Sequence, residues 1–212
     1  MSEYHKIQTV YLRDPETKFK TLLEGQYAQP EFEYLANNEW GWTEKVDGTN
    51  IRIFWNAENQ DREFRGRTDN AMIPASLFKR LEELFPIECL QAKFPDGETT
   101  LYGEGFGAKI QKGGGRYKAD GVDFALFDVK VGTWWLRRED VENVADDLSL
   151  PIVPYIGEGP LHEMVEFARE GFDSEWGNFT AEGIVARPNC ELVGRNGERI
   201  ITKIKHRDFH SA

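Results

Sequence analysis

Cysteine is scarce. The 212 residues hold two, Cys89 and Cys190, with no Cys-x-x-Cys spacing, which excludes a zinc ribbon, a dithiol redox pair and a disulfide framework and points to reduced thiols. The four histidines, His5, His162, His206 and His210, form no His-Glu-x-x-His pair, so a zinc protease is excluded too. No Gly-x-x-x-x-Gly-Lys-Ser/Thr loop is present, which removes the P-loop kinases. No apolar run approaches the roughly 18 residues that cross a bilayer. The opening MSEYHKIQTV lacks the basic-then-apolar pattern of a signal peptide, so a cytoplasmic chain with no membrane partner is expected. Positive charge is also in short supply: 26 Lys and Arg against 37 Asp and Glu give −11, the wrong sign for a protein that simply coats nucleic acid.

What is present is an ordinary globular balance, 40% hydrophobic and 30% charged. The length suits one domain over 1–212, large enough to bury roughly 70% of its unfolded surface without staples. Apolar residues alternate in NIRIFW (50–55), with Ile51, Ile53 and Trp55 facing one way and Asn50, Arg52 and Phe54 the other, which predicts a strand. Pro74 followed by ASLFKRLEELF predicts a helix that Pro86 ends. LYGEGFG (101–107), VDFALFDVKV (122–131), EGIVARP (182–188) and RIITKIK (199–205) read as further strands. Helices are expected after WWLRR and after Pro160, the latter stopped by Gly171. Strands in groups broken by single helices predict an α+β fold with mostly antiparallel sheets and flanking helices.

The cations are clustered. KIQKGGGRYK (109–118) carries four and no acid, and 195–207 carries five against Glu198 alone. An acidic exterior around basic strips suits an enzyme that grips phosphates locally. Gly103-x-Gly105-x-x-Ala108 imitates a dinucleotide fingerprint, but the residues after it are basic and glycine-rich, with no helix to meet a pyrophosphate.

The most informative stretch is Glu44-Lys45-Val46-Asp47-Gly48-Thr49-Asn50, directly before a strand. On its own it fits a β-turn at Asp47-Gly48 with Lys45 an exposed bystander. Taken with FRGRTDN, LYGEGFGAKIQKGGGRY, DFALFDV, AEGIVARP and ITKIKHRDF, in that order, it resembles the motif set of the covalent nucleotidyltransferases, the polynucleotide ligases and capping enzymes. Asn50 and the form of the third motif are most similar to the RNA ligase 2 group. The resemblance spans about 40–209.

That resemblance implies a ligase-type, ATP-grasp-like nucleotidyltransferase domain that uses ATP with Mg²⁺ or Mn²⁺. Lys45 is then the nucleophile that becomes a lysine–AMP adduct, with Lys203 and Lys205 as the remaining catalytic residues. An amine that attacks phosphorus must be unprotonated, and neighbouring cations favour that form. Lys203 and Lys205 share a strand face by period two, so both are expected to press on Lys45 and to bind the triphosphate; otherwise they form a solvated strand face. Nucleotide binding is expected from Glu44, Val46, Asn50, Arg67, Glu104, Phe127, Glu182, Lys203 and Lys205. Arg65 is an alternative to Arg67 on the same strand face. Phe127 is either the ring that stacks on adenine or a plain core residue. Glu182 and Glu104 are the expected metal carboxylates. Lys109, Lys112, Arg116 and Lys118 are read as a flexible loop that contacts polynucleotide, or else as a solvated turn.

The implied substrate is a nicked duplex of RNA, DNA or RNA/DNA hybrid, handled by a monomer. A capping-type guanylyltransferase, an enzyme that only adenylates, and a non-catalytic binding module are the competing readings. Relatives append an OB-fold or a helical domain after the fifth motif; this sequence stops at Ala212, and none is expected here.

Overall fold

The computed structural model describes residues 3–210. The chain divides into two compact units. One is made of 5–46 and 154–210, the other of 47–153 together with the described part of the N-terminus, residues 3–4. We refer to them as the flanking and inserted units.

The flanking unit begins with β1 (Gln8–Thr9), β2 (Tyr11–Arg13), β3 (Leu22–Tyr27), the short helix α1 (Pro30–Tyr34) and β4 (Trp40–Glu44). All five residues of β4 are buried, and the Trp40 indole donates to the Leu35 carbonyl (2.9 Å). The inserted unit comes next: β5 (Thr49–Asn56), β6 (Asp61–Gly66), α2 (Ala75–Leu84), α3 (Ile87–Lys93), β7 (Glu98–Gly107), β8 (Val122–Val131), β9 (Trp134–Trp135) and α4 (Arg138–Asp147). The chain returns to the flanking unit with β10 (Tyr155–Gly159), α5 (Leu161–Glu170), β11 (Gly183–Pro188) and β12 (Thr202–Lys205).

The flanking unit's main sheet has the order β1-β12-β11-β4-β10, antiparallel except for the parallel β1–β12 pair, and β2–β3 forms a separate hairpin. Helix α5 buries Leu161, Met164, Val165 and Ala168, an i, i+3, i+4, i+7 stripe, in a core shared with Trp40, Trp42, Ile184 and Ile204. The inserted unit is an antiparallel sheet, β6-β5-β7-β8-β9. Its core takes Ile51, Ile53 and Trp55 from β5, Leu77 and Leu81 from α2, and Val122, Phe124 and Leu126 from β8.

Two local features of that second sheet aim side chains. Gly103 and Gly105 in β7 have no room for a Cβ: at Gly103 it would lie 2.1 Å from the Phe124 ring, and at Gly105 2.4 Å from Leu77 Cδ2. Glu104, between them, therefore belongs to the opposite face. In β8 the register passes from Gly103↔Leu126 directly to Tyr102↔Asp128, so Phe127 is the extra residue of a bulge. The core set accordingly changes parity, from Val122, Phe124 and Leu126 to Val129.

The α+β prediction agrees with this architecture. Helix α3 and strands β1–β4 and β10 lie in text from which no element was predicted. The last predicted strand is shorter than expected: Arg199, Ile200 and Ile201 precede β12, whose ladder begins at Thr202.

Candidate active site

Strands β4, β11 and β12 are neighbours in one sheet, with Glu44 opposite Ile184 and Lys205 opposite Gly183. Past the end of β4 the Lys45 amide continues the ladder to the Gly183 carbonyl (2.9 Å), and the His206 amide donates to the Glu182 carbonyl (3.0 Å). The backbone thus brings Lys45, Glu182 and Lys205 to one end of the sheet. Lys45 Nζ donates to Glu182 Oε2 and Lys205 Nζ to Glu182 Oε1, each at 2.5 Å, and Lys45 Nζ also reaches the Val46 carbonyl at 3.3 Å. Burial works against the Glu182 charge, but the two ammoniums outweigh it and hold its carboxyl below the usual glutamate range.

This corrects one expectation. Lys203 and Lys205 do share a face of β12, as the burial alternation requires. The charge in contact with Lys45, however, is an anion. Lys45 and Lys205 share Glu182 instead of confronting one another, so the amine is compensated by pairing. Lys45 is far from a bystander, its side chain being 20% exposed and bonded. Lys203 lines, with Lys205, a cavity of about 590 Å³ on the same unit.

Glu44 differs from its expected role. Its side chain is buried and accepts from Ser174 Oγ (2.5 Å) and the Glu175 amide (2.9 Å). Burial pushes its carboxyl up, with those two hydrogen bonds working the other way. The carboxylate faces inward to fasten the 173–180 segment, and Val46 is likewise buried. Nothing in the sequence around Ser174 signals this contact.

The remaining motif residues lie in the inserted unit. Asn50 and Glu104 are directly opposite in the β5–β7 ladder, and Asn50 Oδ1 is buried without a hydrogen-bond partner. Gly48 is required where it stands: a Cβ there would lie 2.3 Å from the Gly105 carbonyl oxygen and 2.8 Å from Glu104 Cγ. Phe127, aimed by its bulge, meets the Tyr4 ring edge-on at 5.2 Å, and Tyr4 in turn donates to Asp128 (2.8 Å). Arg67 is exposed. Strand β6 ends at Gly66, so the expectation that Arg65 and Arg67 share a strand face fails. Arg65 pairs with Glu63. The turn that carries Arg67 is held from the β5 face opposite Ile51, Ile53 and Trp55: Arg52 is wholly buried, donating to the Gly66 carbonyl and to Asp69, each at 2.8 Å.

The basic loop is not flexible in the sense expected. Residues 114–116 form a 3₁₀ turn with a ladder of main-chain hydrogen bonds around it. The Asp47 amide donates to Tyr117 Oη (3.2 Å), and Gln111 Nε2 to the Gly48 carbonyl (3.1 Å), so the loop is tied to the turn after Lys45. At its far end Lys118 pairs with Asp123 (2.7 Å), which Arg80 of α2 also holds (3.1 Å). Burial opposes the Asp123 charge, but those hydrogen bonds keep its carboxyl low. Lys109 and Arg116 are exposed, as is Lys112. Tyr117 and Gln111 stand in the very segment read for its cations alone.

Among the described residues no group of three or more His, Cys, Asp or Glu gathers as a metal site, no helix is long and apolar enough to cross a membrane, and both cysteines are free and exposed.

The arrangement defines a class: an α+β domain that holds a lysine and the second lysine of a strand Lys-x-Lys on one glutamate. Solved structures share the fold. Naegleria gruberi RNA ligase variants match with TM-scores of 0.72 in a structure with ATP and Mn and 0.66 in another with ATP and Mn, and the same ligase with PPi matches at 0.67. Identity is 18% in each case, over 98–100% of this chain and 58–60% of those chains. The chain thus spans about three fifths of the length of the ligases it matches. No curated protein sequence matches it. The RNA ligase family model matches residues 38–205, most of the chain, and the protein belongs to that family.

Proposed function

We propose that this chain is the nucleotidyltransferase part of an ATP-dependent RNA ligase, with Lys45 as its nucleophile. The Lys45 nitrogen attacks the α-phosphorus of ATP; the N–P bond forms, the bond to the β-phosphate oxygen breaks, and pyrophosphate leaves. AMP then passes from Lys45 to a 5′-phosphate, and a 3′-hydroxyl displaces AMP to close the strand. Nicked RNA is the proposed substrate.

One observation carries this reading: a single half-buried carboxylate, Glu182, holds Lys45 and Lys205 on its two oxygens. A structural ion pair has no need of a second lysine, whereas an adenylating site needs an amine fixed in place and cations for the phosphates. Because its carboxyl is held low, Glu182 is a poor acceptor for the amine's proton. Its role is to hold and orient Lys45, which gives up that proton to water before attack. Lys203 and Lys205 bind the triphosphate. Asn50 and Glu104 serve the nucleotide's sugar end, Arg67 a phosphate, and Phe127 the base. The unpartnered Asn50 Oδ1 supports a ligand there.

Mg²⁺ or Mn²⁺ belongs to this chemistry, neutralising phosphate charge and polarising the phosphoryl oxygen. The chemistry of Glu182 fits: such an ion takes one or two carboxylates and substrate phosphates, not an all-protein cage, and the Glu182 carboxyl is held low and so charged. Glu182 is the carboxylate we assign to it.

Incubation with ATP labelled at the α-phosphate, followed by denaturing electrophoresis, tests the reading. Label retained on the protein and lost in Lys45→Ala supports it; label from GTP alone would replace it with a capping-type enzyme. Sealing of nicked duplexes with RNA or DNA on each side then separates a complete ligase from an enzyme that only adenylates.

A further inference from the structure

The cavity on the flanking unit reaches beyond the lysines of the proposed active site. Lys6, Arg13, Lys20, Lys203, Lys205 and Arg207 line it, with Asp208 the one acid. In a chain of net charge −11, six cations against one acid is a concentrated anion site. Four of the six, Lys6, Arg13, Lys20 and Arg207, have no part in the proposed adenylation site.

The hairpin that supplies Arg13 and Lys20 to it carries a second, independent feature. At the tip of the β2–β3 hairpin, Lys18 and Phe19 have φ of 56° and 61°, in the left-handed region. For a bulky residue such as Phe this is strained backbone, which persists where surrounding contacts enforce it. Here they do: the Phe19 amide donates to the Asp14 carbonyl at 2.9 Å. Arg13 Nη1 reaches the Phe19 and Lys20 carbonyls, each at 3.4 Å, while its Nη2 holds Asp208 at 2.7 Å. One cavity-lining arginine thus fastens the hairpin tip to the cavity wall. What the strain presents is an aromatic ring 61% exposed, between two lysines. A cationic groove with an exposed aromatic beside it is the arrangement that takes single-stranded nucleic acid, phosphates along the charges and a base on the ring.

We propose that this groove binds a polynucleotide strand, its phosphates along Lys6, Lys20 and Arg207 and an unpaired base on Phe19. The proposal rests on the ligase reading for its choice of ligand. It is tested on the full chain with a short single-stranded RNA oligonucleotide, by fluorescence anisotropy over a range of salt. Phe19→Gly is expected to weaken binding about tenfold or more while raising the melting temperature, since glycine relieves the left-handed strain. Phe19→Trp should retain affinity. The pair Lys6→Ala and Lys20→Ala should lower the slope of log K against log salt by about one to two. Unchanged affinity and slope would overturn the proposal, as would a Phe19→Gly variant with a lower melting temperature, which would make the ring a structural prop. The ATP dependence of Lys45 labelling, measured on the same variants, decides the source of the phosphate: a higher ATP requirement with RNA affinity intact assigns the cavity to a triphosphate and overturns it. Absence of label in the native protein would sink the adenylation reading alone, because RNA binding is read separately.

Discussion

Glu182 sits under two ammonium groups, and its position sets a pH dependence. A carboxyl whose pKa is lower in the folded chain binds its proton more tightly when unfolded, so the stability it contributes is present above the ordinary glutamate value and is lost as pH falls through the lowered one. Glu182→Gln should therefore destabilise the protein at neutral pH, by about 1–3 kcal/mol as its charge-assisted hydrogen bonds weaken, and flatten the acid limb. Thermal melts of both proteins from neutral to acid pH measure this; coincident acid limbs would count against it. Arg52 offers a contrasting case. Its partner Asp69 is exposed, but the Gly66 carbonyl lies at a buried position. Arg52→Met should cost about 1–3 kcal/mol for that unsatisfied acceptor, read as a lower urea midpoint.

At the level of elements, the glycines of β7 and the turn after Lys45 share one packing problem. Gly48→Ala drives a Cβ against the Gly105 carbonyl, and backbone cannot yield as a side chain does. We expect a loss of about 1–3 kcal/mol or more together with slow lysine labelling. Gly105→Ala meets side chains and no backbone, the end of Leu77 at 2.4 Å and Ile51 Cγ1 at 3.2 Å, and should be the milder of the two. The basic loop makes a separate prediction, because Tyr117 accepts the Asp47 amide. Tyr117→Phe should cost about 1 kcal/mol and raise hydrogen exchange at that amide, with little change at amides inside β8. The sequence made β5 legible through apolar alternation, β8 through a nearly all-apolar run, and α2 and α5 through their proline starts. It could not show the bulge at Phe127, since one extra residue in a nearly all-apolar run leaves no break in pattern. The burial of Arg52 was illegible for a related reason: alternation tells which residues share a face, not whether the second face is covered.

For the whole molecule, chain order and folding order are expected to differ. The inserted unit is built mainly from consecutive strands, whereas the flanking sheet pairs Glu44 with Ile184, across 140 positions. Loop closure over that span delays pairing. Pulse-labelled hydrogen exchange during refolding should protect β5, β7 and β8 before β4 and β11; the reverse order would contradict this. The first thirty residues show the limit of motif reading at this scale. They contain no motif and no strong periodicity, yet β1 pairs with β12 at Thr9 and Lys203, and Lys6, Arg13 and Lys20 complete the basic cavity.

The order of residue types along the chain was enough to determine the class of fold, the family, and Lys45, Glu182, Lys203 and Lys205 as residues to watch, because short-range spacing dictates faces of strands and ordered motifs are specific. Only the tertiary structure decided how their charges are arranged. Lys45 and Lys205 are far apart in sequence, and which ion lies between them depends on the register of three strands. A local pattern lists the charges; a carboxylate placed between two of them turns an expected repulsion into a shared ion pair.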